Sequence, residues 1–274
     1  MSMNLVTWLH SEAPPRRVYA RPPLALALCQ IRYATRFGLN DLVIAPFQAA
    51  IEYDYPSPSR HEDIAAIQIG SGGNQIDLTV PSPGVMWKFT DETGDWTVSL
   101  TQDFLSLETR SYADFDDFIV RLGRLMTALT ETVKLGVGRR IGLRYINEIR
   151  GSGIDWRDVI TPELLGVLAL EPFRQNCDHA YQVLTLRTPD ARVNLQHGLF
   201  PNGSTVLPKS DVPPSTEPFY LVDIDMFREF PLPHALEMTS PIVSGYVESF
   251  HATVSELFRW ATTDAYRSSL GEGS

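Results

Sequence analysis

Apolar and polar residues alternate in short runs along most of the chain, interrupted by two long stretches with helical spacing. "LALALCQIRYA" (24–34) begins just after Pro22-Pro23 and predicts a strand. Residues 40–53 predict a helix: Asn40 or Asp41 can cap it, and Val43, Phe47 and Ile51 recur four apart. After the break at "YPSPSRHED", "IAAIQI" (64–69) and "QIDLTV" (75–80) read as short strands joined by "GSGGN". "VMWKFT" (85–90) and "WTVSLT" (96–101) flank "DETGD" and predict a hairpin, with Gly94 suited to a left-handed turn position. Trp96, Val98 and Leu100 share one face, and the apolar phase then shifts to Leu105 and Leu107, which predicts a bulge near 102–104.

From Ser111 to about Lys134 the spacing is helical. Ser111 and Asp114 match a capping box, and Phe115, Phe118, Ile119, Leu122, Leu125, Met126, Leu129 and Val133 trace one stripe. "LGVGRR" (135–140) then reads as glycines leaving the helix with arginines beside its negative end. "RIGLRYINEI" predicts a strand ended by Gly151-Ser152-Gly153. The second half follows a similar plan. "DWRDVITPELLGVLA" predicts a short helical connection, "YQVLTLRT" and "ARVNLQHGLF" a hairpin around Pro189-Asp190, 201–218 a loop, and "FYLVDIDMF" (219–227) a strand. A long helix opens at Ser240-Pro241 and runs to about Asp264, with the stripe Ile242, Tyr246, Val247, Phe250, Val254, Leu257, Phe258 and Ala261. The expectation is an α+β fold of two halves, 24–150 and 151–274, each made of antiparallel strands followed by a long amphipathic helix packed on the sheet. Residues 1–23, rich in Pro and Arg, read as an irregular arm.

The candidate chemistry lies on the strands. Arg144 and Glu148 fall on one face of "RIGLRYINEI", as do Glu108 and Arg110 in "FLSLETR" and Gln30 and Arg32 in the first strand. If these strands are neighbours, a ladder of Arg and Glu crosses one sheet face. Two readings follow: cross-strand ion pairs worth roughly 0.2–1 kcal/mol each, or a concave polar face that receives an anionic ligand or a partner loop. Asn147 shares the opposite face with Leu143, Tyr145 and Ile149, and needs hydrogen bonds there if buried. Asp223 and Asp225 also share a strand face, as ligands for a hard cation would. The competing reading is a solvated or Arg-paired face, with Arg187 and Arg192 of the preceding hairpin as partners. His197 alternates with Val193, Leu195 and Leu199, and His251 lies beside the last apolar stripe, so both read as core histidines.

"GSGGNQ" (70–75) lacks the following Lys-Ser/Thr and the helix start of a phosphate loop, and reads as a hairpin loop. No H-E-x-x-H, G-x-S-x-G or CxxC spacing occurs, and no cofactor is expected. The 274-residue chain carries a net charge of −10, which argues against broad nucleic-acid binding. Its cations are nearly all arginine, since Lys88, Lys134 and Lys209 are the only lysines. That bias fits either a GC-rich coding sequence or bidentate recognition of carboxylate or phosphate. Two cysteines, no signal-peptide pattern and no long apolar run predict a cytoplasmic protein.

"RPPLALALCQIRY", "VMWKFTDETGDWTVSLTQDFLSLETRSYADFDDF", "RIGLRYINEI", "YLVDIDMF" and "FHATVSELFRWATTD" together resemble a sporadically distributed family of uncharacterised bacterial proteins. The order "LETRSY…GLRYINEI" is the most specific part. The closing helix departs from that family's pattern: "TTDAYRSSLG" lacks its terminal His. The resemblance brings no catalytic residue. The family's patchy occurrence implies an accessory role, such as phage defence or a toxin–antitoxin neighbourhood. The expectation is therefore a non-enzymatic binding or regulatory module, a homodimer that recognises a protein partner or small anionic ligand. Its candidate binding residues are Arg32, Glu108, Arg110, Arg144, Asn147 and Glu148. The alternative is a metal-dependent phosphoesterase or nuclease using Asp223 and Asp225.

Overall fold

The computed structural model describes residues 5–11, 19–62, 84–135, 137–205 and 214–271. The expected strands at 64–69 and 75–80, with the glycine-rich loop between them, lie outside the described residues, as does Lys209. The fold is α+β with an antiparallel sheet. Its elements are α1 (Leu5–Ser11), β1 (Leu24–Tyr33), α2 (Asp41–Ile51), β2 (Ser57–His61), β3 (Met86–Thr90), β4 (Trp96–Leu100), β5 (Phe104–Thr109), α3 (Phe115–Thr132) and β6 (Gly138–Arg150). There follow α4 (Pro162–Leu165), α5 (Glu171–Gln175), β7 (Ala180–Arg187), β8 (Arg192–Phe200), β9 (Phe219–Glu229), α6 (Ser240–Ala261) and α7 (Asp264–Ser269).

Among the described residues the strands form one nine-stranded sheet in the order β2-β3-β4-β5-β1-β6-β9-β8-β7. β1 enters between β5 and β6, and β6 pairs with β9 along its length, so a single sheet joins segments from both ends of the chain. Period-two alternation assigns its faces. Ala27, Cys29 and Ile31 of β1 point to the helix side with Leu105 and Leu107 of β5, Leu143 of β6, and Val222 and Ile224 of β9, all fully or nearly fully buried. α2, α3 and α6 pack there, α3 through Phe118, Leu122, Leu125, Met126 and Leu129, and α6 through Val243, Val247, Phe250, Val254 and Leu257. Each such side chain contributes roughly 1.5–3 kcal/mol of burial. In α6 it is Val243 that is buried, while Ile242 is exposed.

Several local expectations change. Leu5–Ser11 is helical rather than irregular, and α1 packs on α6, with Trp8 edge-on to Trp260. Asp114, not Ser111, caps α3: its carboxylate accepts the Asp117 amide at 2.8 Å. After α3 the left-handed residue is Lys134 (φ 52°), whose carbonyl accepts from Arg36 at 2.7 Å; Arg139 and Arg140 belong to β6. The bulge expected near 102–104 is a full reversal: Leu100 pairs with Leu105 across a tight turn. Thr101 builds that turn, its Oγ1 accepting from the amides of Asp103 and Phe104 at 3.2 and 3.1 Å, while its carbonyl accepts the Tyr33 hydroxyl at 2.6 Å.

Candidate functional site

The other face of the sheet carries the polar residues. On β6 the even positions Arg140, Gly142, Arg144, Ile146 and Glu148 face this way, because Ile141, Leu143 and Tyr145 are held by the helices. The registers set them in rows. Arg144 lies between Asp225 of β9 and Leu28 of β1, and the row continues through Asn194 and Thr185 on one side and Glu108 and Thr97 on the other. The neighbouring row reads Arg187, Arg192, Phe227, Gly142, Gln30, Ser106, Ser99, Lys88. Towards the far end of β6, Leu26, Ile146, Phe200, Phe219 and Leu221 make a small apolar cluster on this same face.

Two carboxylates and three guanidiniums make up the centre. Arg144 forms a buried fork with Asp223, Nε to Oδ1 at 2.8 Å and Nη2 to Oδ2 at 2.5 Å. Burial lowers the proton affinity of Arg144, but the Asp223 carboxylate more than offsets this, so its pKa lies above the ordinary value. Arg140 donates to Asp225 at 3.2 Å and lies over the Phe227 ring at 4.3 Å. Gly142 makes that posture possible: a Cβ there would sit 3.0 Å from Arg140 Nη1. Burial raises the pKa of Asp225, although Arg140 and Arg144 both pull it down. Arg32 is directly opposite Arg140 on the neighbouring strand and donates to Gln30 Oε1 at 3.0 Å. Burial, then Arg140, lower its proton affinity; Asp103 and Asp225 work the other way.

The structure therefore gathers Arg32, Arg144, Asp223 and Asp225 and adds Arg140. The remaining candidates are dispersed. Glu108 shares the row of Arg144, but Leu28 stands between them, and burial raises its pKa against the pull of Lys88 and Arg110. Arg110 is exposed beyond the end of β5. Glu148 pairs with Arg150 of its own strand. Asn147, on the helix side, donates to the carbonyl of Val222 at 3.0 Å, which answers its burial. The carboxylate partners expected from the β7–β8 hairpin are wrong: Arg144 and Arg140 hold Asp223 and Asp225, not Arg187 and Arg192. A divalent cation would have to displace both guanidiniums, and among the described residues no cluster of three or more His, Cys, Asp or Glu could hold a metal.

Both core histidines lie on the helix side. His251 stacks on Phe115 at 3.9 Å, and its Nδ1 is 2.9 Å from the Tyr145 hydroxyl. His197 Nδ1 is 2.9 Å from the Tyr220 hydroxyl, but its Nε2 is buried without a hydrogen-bond partner. Burial depresses its pKa to about 4. Unfolded chains take up this proton below pH ~6.5 and the native state does not, so stability falls as pH drops from about 6.5 to about 4. The expected loss is about 2 kcal/mol after a discount for solvent screening. Urea unfolding at pH 7 and at about 4.5 checks it: His197→Phe/Tyr220→Phe should lose less stability on acidification than the wild type.

Comparison with protein-family models and with curated proteins brings no match to this chain.

Proposed function

We propose that the chain is a binding module rather than an enzyme, and that the polar face of its sheet receives an anionic group carried by a partner protein or a small ligand. One observation carries this reading: guanidiniums line a single direction across the strands. Arg187 and Arg192 are opposite one another, Arg140 lies over Gly142 in the same row, and Arg32 reaches Gln30 beside it. Like charges on opposed strand positions destabilise a sheet, and guanidinium forks match carboxylate and phosphate oxygens. Arg144 has a different part. Its fork is consumed by Asp223, so it stiffens the face beneath the ligand rather than touching it. The two-half plan belongs to the same proposal: β6 closes the first half, 24–150, and pairs with β9 of the second, 151–274, so the site would lie where the halves meet.

The test is thermal unfolding with citrate, phosphate or sulfate at matched ionic strength. The wild type should gain roughly 2–4 °C at saturating anion, and a variant with Arg32, Arg140, Arg187 and Arg192 all replaced by Gln should lose that gain relative to its own baseline Tm. An unchanged response in that variant, or no response of the wild type to any of the three anions, would overturn the reading.

A further inference from the structure

The guanidinium row ends in a cavity of about 340 Å³ at the turn between β7 and β8, lined by residues 187–192 and by Phe227, Arg228 and Glu229. It is an open cleft, at the low end of the volume of small-ligand pockets. Its walls are fixed by bonds of their own. Arg228, lying over the rings of Phe230 and Tyr246, donates to Asp190 at 2.7 Å and ties the turn to β9. Thr188 closes the turn twice, its amide donating to the Ala191 carbonyl at 3.0 Å and its Oγ1 accepting from the Ala191 amide at 2.9 Å. The Thr188 hydroxyl proton is left to donate to another acceptor.

Two cations of this cavity are not used by the fold. Arg187 and Arg192 occupy directly opposed positions of the hairpin, both are exposed, and neither makes an ion pair among the described residues. Of the lining carboxylates, Asp190 is taken by Arg228, and Glu229 stands opposite Arg140 in the β6–β9 register. Behind them Arg192 neighbours Phe227, whose ring carries Arg140. The cavity thus presents two unengaged forks, a hydroxyl, the Glu229 carboxylate and the Phe227 ring behind them, in a chain that is acidic overall.

We infer that this cavity binds the phosphate group of a small phosphorylated molecule, held between the forks of Arg187 and Arg192 with Thr188 as a further donor. A tetrahedral oxyanion of charge near −2 offers three oxygens in different directions to two separate forks, whereas a carboxylate offers two in one plane. The inference rests on the anion-binding reading above and narrows it to one ligand chemistry and one end of the face.

Isothermal titration with inorganic phosphate at matched ionic strength, checked by ³¹P line broadening, tests it on the full chain. The expected result is saturable one-site binding that weakens at least about tenfold in Arg187→Gln/Arg192→Gln and is unchanged in Lys88→Gln at the far end of the row. Both arginines are exposed, so an unaltered Tm separates lost binding from lost folding. Phosphate binding that survives in the double variant but disappears in Arg140→Gln overturns this cavity and leaves the broader reading standing. Citrate binding without phosphate binding does the same. No saturable binding of either anion overturns both.

Discussion

Replacing Arg144 by Met should cost about 3–5 kcal/mol of stability, and most of that should return in the double variant Arg144→Met/Asp223→Leu. The Arg144 and Asp223 side chains are only 7% and 3% exposed, and their two parallel bonds satisfy both partners away from water. Removing the guanidinium strands the Asp223 carboxylate in a site where Asp225 already binds its proton too tightly. The deficit of the single variant should deepen as pH rises from the acid range towards neutrality. Asp225, which burial already raises, also loses the downward pull of Arg144; a carboxylate raised by folding favours the native state when protonated, and that advantage is lost on ionisation. Replacing both partners removes the desolvation problem along with the bond. Urea unfolding of the three proteins at one m-value decides it: a single variant within about 1 kcal/mol of wild type, or a double variant no better than the single, would show that the pair does not anchor the face.

Gly198→Ala should lower stability by roughly 3 kcal/mol or more, with the damage concentrated on β7. An added Cβ would lie 1.9 Å from the carbonyl oxygen of Ala180, and the obstacle is backbone on the paired strand rather than a side chain that can turn away. β8 is also clamped on its other side by β9, so β7 is the strand free to yield. Its loss would remove the Thr185–Asn194 bond, the Tyr181–Gln196 bond and the Arg187 wall of the phosphate cavity. Amide hydrogen exchange reads this directly: protection should drop along 180–187 while β1 and β6 keep theirs. Wild-type protection in β7 together with a wild-type Tm would refute the clash.

The strands that carry the site were legible because one face of each is held by apolar residues at period two, which placed Arg144, Asp223 and Asp225 on the polar side before any partner was known. Their pairing was not legible. Arg187 and Arg192 are near the two aspartates in sequence, but strand order makes β6 the neighbour of β9, and strand order is decided by long-range packing. Arg140 was missed although its signal was present. Gly142 sits inside a strand between two arginines of the same face, and glycine inside a strand marks a place where another group passes close to the backbone. The 101–104 reversal was hidden for a different reason. It contains no glycine or proline, and its shape comes from the Thr101 hydroxyl and from Tyr33, a residue of another strand.

The position of β1 has a consequence for synthesis of the chain. Among the described strands it is the earliest in the chain, yet its neighbours are β5 and β6, and β6 in turn pairs with β9. "LALALCQIRY" therefore waits, apolar and unpaired, until β5 and β6 have been made. Long-range pairing of this kind is slow, and it leaves sticky edges exposed in the meantime. A nascent chain halted after β6 would carry the finished centre of the sheet with one long raw edge where β9 belongs. The segment most exposed to misassembly is thus the one on which the polar face of the sheet is later built.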